Sequence, residues 1–503
     1  MKNTISLVSS LCLAIFFSFA ATDAQAQFQA KLFTVDSVND SHDASPGDRL
    51  CADENGECTL RAAIEETNLN PGQRDVINFA LPDPSVIDLT LGELVITGRV
   101  YLAGPGARRL TVQRSTTAGT PNFRIFHIAG YFGQDPVIHG LRIQNGNSDG
   151  DGGGIKIEYT AQMGLTEVWI TGNRARAGGG IANSGRLTIE GSLISSNTAE
   201  LRSTKGKGGG IEILSGGGAS IYNSTITLNR ANTSGAVDAS GWVELANDTI
   251  AGNFAAADCT SICVHSSQVS IINTIIGPDT EAAQRNALSG LFFSYGYNIV
   301  TDARGATGLT NGVRYDQISD SNAIDPRLGE LANNGGQTDT LSLLNQSPAI
   351  NAGDVCVVYN DCQFPIWVGE LYSDQRSRYS RFSQVDMSER ADVGAFQHGS
   401  TEVSYVSGWP GRISIDEPRG PGTIEIFTDI ETNQKYYFRF NPFGYPSSTN
   451  MPNRIYAVEF RSKEFGLASV FPGVVDLRGL LGPYVTNVMK TKNDQLKGGA
   501  RIQ

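Results

Sequence analysis

Apolar and polar residues along this chain alternate over short runs and never settle into a long helical period. Val86-Ile87-Asp88-Leu89, Leu94-Val95-Ile96, Val100-Tyr101-Leu102 and Leu110-Thr111-Val112 are strand-length stretches divided by glycine and proline turns. From Val137 to Ile276 the alternation becomes a repeat. A glycine-then-aliphatic phrase occurs as Gly152-Gly153-Gly154-Ile155, Gly178-Gly179-Gly180-Ile181, Gly208-Gly209-Gly210-Ile211 and, in altered form, Gly235-Ala236-Val237. Its aliphatic residues lie 26, 30 and 26 positions apart. A period in this range marks units that cannot bury an apolar face alone and must stack on their neighbours. The units lack leucine-rich-repeat spacing and any helix-length period, while β-branched strands and glycine corners recur. The expected fold is therefore all-β, a parallel β-helix.

Each coil carries a second phrase ending in asparagine, at Asn145, Asn173, Asn197, Asn229 and Asn253. Asparagine tolerates the left-handed conformation at a tight corner, and stacked amides pair along an axis, so these five are expected to form a structural ladder. One stretch departs from the strand pattern. Leu60, Ala63, Ile64 and Thr67 share a helical face, with Thr59 as N-cap and Asn70-Pro71-Gly72 as terminator, which predicts a short capping helix over the first coil.

The ends are read differently. Met1-Lys2-Asn3, the apolar run to Ala20 and Ala24-Gln25-Ala26 have the form of a secretory signal peptide over residues 1–26, and no other segment is long and apolar enough to span a bilayer. From about Ser404 the glycine repeat is gone. Arg412–Ile415, Thr423–Phe427, Tyr436–Phe440 and Ile455–Phe460 alternate as half-buried strands, which predicts a β-rich module over 401–490 and a polar tail over 491–503. Between these lie an N-terminal cap over 27–85, the coils over 86–300 and a less regular closing region over 301–400.

Two segments resemble a known family. Cys58-Thr59-Leu60-Arg61-Ala62-Ala63 is similar to the Cys-Ser-Leu-Arg-Glu-Ala motif that precedes a right-handed β-helix in bacterial exported proteins, with Thr59 for serine and Ala62 for glutamate. Asp325–Leu331, Asn333–Thr338, Ser347–Asp354, Asp374-Gln375-Arg376 and Asp392–Gln397 resemble that family's closing region, the choice-of-anchor Q domain. The resemblance implies a right-handed helix at or outside the cell surface, and assigns no activity. The polar closing segment is expected to cap the open end of the helix, where bare strand edges would invite aggregation, with Asp374, Arg376 and Asp392 as a structural ion-pair network.

A net charge of -12 offers no basic stripe for nucleic acid, and makes binding of polyanions dependent on a bridging cation. Beyond the signal there are six cysteines, in local pairs: Cys51 with Cys58, Cys259 with Cys263 and Cys356 with Cys362. In an exported chain these read as disulfides; zinc is the competing reading, disfavoured because the pairs are far apart and few histidines lie near them.

Aligning coils on the glycine phrase puts Lys156, Ala182, Glu212 and Asp238 in one outward column. Glu212 and Asp238 then stand on adjacent coils, roughly 5 Å apart, a spacing used by the two carboxylates of retaining glycosidases, though also that of two acids on a solvated face. A second acidic stretch places Asn147, Asp149, Asp151 and Glu158 at calcium-loop spacing, but strands flank it and glycine-rich turns gather Asp and Asn anyway. Asn147-Ser148-Asp149-Gly150 is also similar to one motif of polygalacturonases, whose companion motifs are missing. No nucleophile elbow, zinc-protease helix or phosphate loop occurs, and His127, His139 and His265 are isolated. No motif calls for a cofactor; calcium is the one ion with a candidate site. The favoured function is a secreted or cell-surface β-helix that binds a polysaccharide or another cell-surface ligand without catalysis. The alternative is a polysaccharide lyase or glycoside hydrolase working on the helix face.

Overall fold

The computed structural model describes residues 30–354 apart from 71, 73, 132, 134, 203, 204, 280–285 and 322, then 356–359, 374–376 and 390–398, and backbone strands between 424 and 497. The signal segment, Cys362 and the strand expected at 412–415 lie outside the described residues.

Three long stacks of parallel strands, with a short fourth through Arg174–Ala175, Thr198–Ala199, Arg230–Ala231 and Phe254–Ala255, make a β-solenoid of about eight turns. The first, here the glycine face, runs Leu94–Ile96, Phe126–Ile128, Ile155–Ile157, Ile181–Asn183, Ile211–Ile213, Val237–Ala239, Ile262–Val264 and into Leu288–Gly296. The second face is set by Ile77, Leu102, Ile138, Leu165, Ile189, Ile221, Leu245 and Ile271 in successive register. The third has Ile87, Val112, Ile143, Ile170, Ile194, Ile226, Ile250, Ile276, Val300 and Ile318 in line. Alternation sends these columns inward and their neighbours outward, and one continuous apolar core runs from Phe33 to Ile318.

The glycine phrase makes a corner for two distinct reasons. Its first residue is left-handed in every coil, at Gly152, Gly178, Gly208 and Ser234. Its second has no room for a side chain: a Cβ on Gly209 would sit 2.5 Å from the carbonyl oxygens of Arg230 and Gly235 in the next coil.

At the N-terminus, helix α1 (Leu60–Asn68) starts on Thr59, whose side chain accepts from the Ala62 N–H, and buries Leu60, Ala63, Ile64 and Thr67. Sequence reading missed two strands beside it: Leu32–Val35 and Asp75–Phe79 pair in parallel and begin the second face.

The closing region departs from the capping expectation. After the last coil strand, Gln317–Ile318, most of the described parts lie back along the third face, while Cys356 and Val357 pack on Tyr222, Ala246 and Ile272 at the end of the second. Leu343, Ala349, Val393 and Phe396 pack on Ile275 and Ile299. The Ala395 N–H donates to Thr249 Oγ1 at 3.0 Å, Gln375 meets Thr225, and Arg108, in the corner before the second strand of that face, pairs with Asp339. Arg376 pairs with Asp374 and stacks on Phe396, whereas Asp392 accepts the Asn351 and His398 N–H groups. The segment therefore covers a side. The C-terminal strands Ile424–Asp429, Lys435–Arg439, Ile455–Arg461 and Gly473–Asp476 form an antiparallel sheet.

Candidate functional site

The outward column of the glycine face reads Val95, His127, Lys156, Ala182, Glu212, Asp238, Cys263 and Ser289 in register. Two charged groups stand on it, with the Ala182 coil between them. In the first, His127 bridges coils, with Nδ1 3.0 Å from Glu93 and Nε2 2.8 Å from Glu158. Arg124 closes on Glu93 at 2.5 Å and Lys156 on Glu158 at 2.7 Å. Its hydrogen bonds to the two carboxylates raise the His127 pKa above its ordinary value.

The second group is built around Glu212 and Asp238, which the structure puts in direct register. Asp238 is enclosed, 1 % exposed. Ser234 Oγ donates to its Oδ2 at 3.0 Å, His265 Nε2 lies 2.9 Å from the same oxygen, and Lys207 Nζ is 4.0 Å from Oδ1. Ser234 occupies the left-handed corner position that glycine holds in the other coils, so the worn fourth phrase supplies a ligand to the carboxylate as well as a turn. Above these groups Arg176 chelates Asp151 at 2.8 Å and 3.0 Å.

Glu212 differs from its neighbour. Its Oε2 is buried without a hydrogen-bond partner, and its pKa is pushed up to about 8, first by burial and then by the Asp151 and Asp238 carboxylates, with Lys207 and Arg176 pulling the other way. At neutral pH it is mostly a neutral acid. The Asp238 bond raises the His265 pKa above the usual imidazole range. A buried carboxylate that grips an imidazole, beside a protonated carboxyl, combines a group that can take a proton with one that can give one. His265 was missed because it falls two residues beyond the column. Aligning Ile262-Cys263-Val264 under Val237-Asp238-Ala239 would have found it.

The calcium set is not gathered at one point. Asp151 is taken by Arg176, and Glu158 by Lys156 and His127, on the far side of the strand Ile155–Ile157. Asn147 and Asp149 are joined through Asn122, at 2.6 Å and 2.9 Å. With Asn145 and Arg174 they line an open groove of about 410 Å³ on the asparagine corner.

The asparagine ladder is continuous from Asn173 to Asn253. Each Nδ2 donates to the next Oδ1 at 3.0 to 3.1 Å, and the same oxygen receives the backbone N–H. Asp279 continues it beyond Asn253. Asn145 is the exception: its amide turns to Gln113, and the ladder position in its coil is the Gly146 N–H, which donates to Asn173. The left-handed residue is the one before the ladder asparagine, at Gly172, Ser196, Leu228 and Gly252, so amide pairing rather than corner geometry explains the column. A second ladder at another corner, through Ser192, Ser224, Asp248, Thr274, Asn298 and Asp316, escaped sequence reading because four residue types share it.

Cys51 pairs with Cys58 and Cys259 with Cys263, at Cα separations of 4.9 Å and 5.8 Å. No helix among the described residues is long and apolar enough to cross a membrane.

No family model and no curated protein matches the chain. Among solved structures, pectate lyase Pel9A is similar at a TM-score of 0.38 and 13% identity, over 73% of this chain and 96% of that one.

Proposed function

We infer that this is an exported β-helix protein that binds a polysaccharide along its glycine face. The observation that supports this is the asymmetry of cover. The third face is packed under the chain's own closing segment, from Arg108 to Ile299. The glycine face instead keeps its charged groups in contact with solvent: the side chains of Lys156, Lys207 and His265 are each about a third exposed, at 30%, 34% and 34%. Donors and acceptors of both signs, repeated at the coil rise of ~4.8 Å, suit the regularly spaced hydroxyls of an extended glycan. Export is supported by the signal-like first 26 residues and by the paired cysteines, which persist in oxidising compartments.

Affinity electrophoresis against immobilised arabinoxylan, mixed-linkage β-glucan, galactomannan and polygalacturonate, with and without calcium, tests the reading. Lys156→Ala with Lys207→Ala is expected to weaken retardation by about tenfold, the loss of one or two charge-assisted hydrogen bonds. Retardation that survives this double substitution unchanged would place the ligand elsewhere.

A further inference from the structure

The second charged group contains more than binding requires. A surface that only held a glycan would gain nothing from a carboxyl whose Oε2 is buried without a partner, or from an enclosed carboxylate devoted to one imidazole. We propose that Glu212 and His265, with Asp238 as the positioning residue, form an acid–base pair that hydrolyses a glycosidic bond with inversion at the anomeric carbon.

Asp238 cannot itself reach a substrate, since it is 1 % exposed and its Oδ2 is shared by Ser234 and His265. What it can do is fix the imidazole. Holding Nε2–H against the carboxylate leaves Nδ1 with its lone pair, on a side chain 34% exposed. Glu212 is next to Asp238, which is next to Cys263, so the Glu212 strand and the strand that leads to His265 are two coil steps apart, roughly 10 Å, and the imidazole reaches back to Asp238 on the coil between. Inverting hydrolases keep their two reacting groups ~6.5–9.5 Å apart and retaining ones ~5 Å, and two side chains rooted on non-adjacent coils suit the wider spacing.

In the reaction, the Glu212 carboxyl gives its proton to the glycosidic oxygen as the bond from that oxygen to the anomeric carbon breaks. Water adds to the anomeric carbon from the opposite face and loses its proton to His265 Nδ1. The products are a new reducing end and a new hydroxyl. Glu212 carboxylate and His265 imidazolium then return to their starting forms by proton exchange with solvent.

The groups that tune this pair are all close. Glu212 faces Asp151, Asp238, Lys207 and Arg176; His265 faces Asp238, Lys207 and Asp258. Activity needs His265 neutral and Glu212 protonated. The rate is therefore expected to rise through the elevated His265 pKa and fall through about 8.

The proposal rests on the glycan reading, so binding and cleavage are measured on the same four polysaccharides. Expected are new reducing ends from a bound polysaccharide, an inverted product anomer by NMR, and a loss of about 100-fold or more in rate for Glu212→Gln and for His265→Ala, far beyond any loss of retardation. Asp238→Asn should move the acid limb of the pH profile to lower pH, a change that a merely structural role would not produce. Circular dichroism melting confirms that each variant is folded, and His265→Asn gives a smaller substitution should His265→Ala melt early. Binding without any new reducing end overturns catalysis and leaves the binding reading intact; absence of binding removes both. Unsaturated ends absorbing in the ultraviolet, a retained anomer, or full activity in Glu212→Gln also overturn it.

Discussion

Replacing Asn197 by alanine tests the ladder at its centre. The side chain is fully buried and takes part in four hydrogen bonds: Nδ2 donates to Ile170 O at 2.9 Å and to Asn229 Oδ1 at 3.0 Å, while Oδ1 accepts the Asn173 N–H at 3.1 Å and Nδ2 at 3.0 Å. Alanine removes all four and supplies no replacement. At about 1 kcal/mol net for each bond, with part of the desolvation penalty for the Asn173 N–H left dry, the loss should be about 5 kcal/mol. Asn145→Ala is the internal control, because that amide makes its contact to Gln113 at a half-buried corner outside the ladder; with its left-handed backbone counted, its cost should stay under about 2 kcal/mol. Because a solenoid unfolds through neighbouring repeats, one global midpoint is a poor measure. Native-state hydrogen exchange resolves the loss by coil, with the Asn173 N–H, which loses its acceptor, expected to lose the most protection. If Asn197→Ala and Asn145→Ala cost the same, the amide column is ornamental to stability and the reasoning fails.

Other perturbations address the site and the corners. Glu212 has a folded pKa of about 8 against an ordinary value of 4.5, so folding is favoured while it is protonated and that advantage is lost as pH rises from about 4.5 through 8. Melting of Glu212→Gln should accordingly fall less than that of the parent between pH 5 and pH 9; parallel curves would contradict this. Gly209→Ala drives a methyl to within 2.5 Å of two carbonyls and should cost about 3 kcal/mol or prevent folding, whereas Gly56→Ala, left-handed but with nothing within 4 Å, should cost about 1 kcal/mol by denaturant titration. Asp339→Ala removes the partner of Arg108 and should speed hydrogen exchange in Leu328–Ala332 and Thr340–Leu343 while the coils stay protected.

Where a coil repeats its neighbour's chemistry, its place in the fold was legible in the sequence. Ile155, Ile181, Ile211 and Val237 recur at the same corner, and that alone set Glu212 against Asp238 in the register observed. Legibility ends where the repeat changes composition without changing geometry. Asn145 belongs by residue type to the asparagine column and by geometry to the corner before it, one residue off. Ser, Asp, Thr and Asn satisfy the second ladder interchangeably, since each needs only one side-chain oxygen for the N–H below, so no single letter betrays it. His265 reaches Asp238 from outside the column, and the packing of Ala395 on Thr249, 146 residues away, follows no period at all.

The closing segment on the third face also changes how the rod comes apart. In a bare solenoid each turn is coupled only to the ones beside it, so the ends can peel in steps. Here one strip of chain touches Arg108, Thr225, Thr249 and Ile299 together. Turns that share no strand pairing thus become mechanically linked, like slats behind a batten, and separating any of them first requires lifting the strip. Its own docking site does not exist until those turns are stacked, so the strip must settle last during folding. Resistance of residues 325–354 to a protease would therefore serve as a signal that assembly of the whole rod is complete.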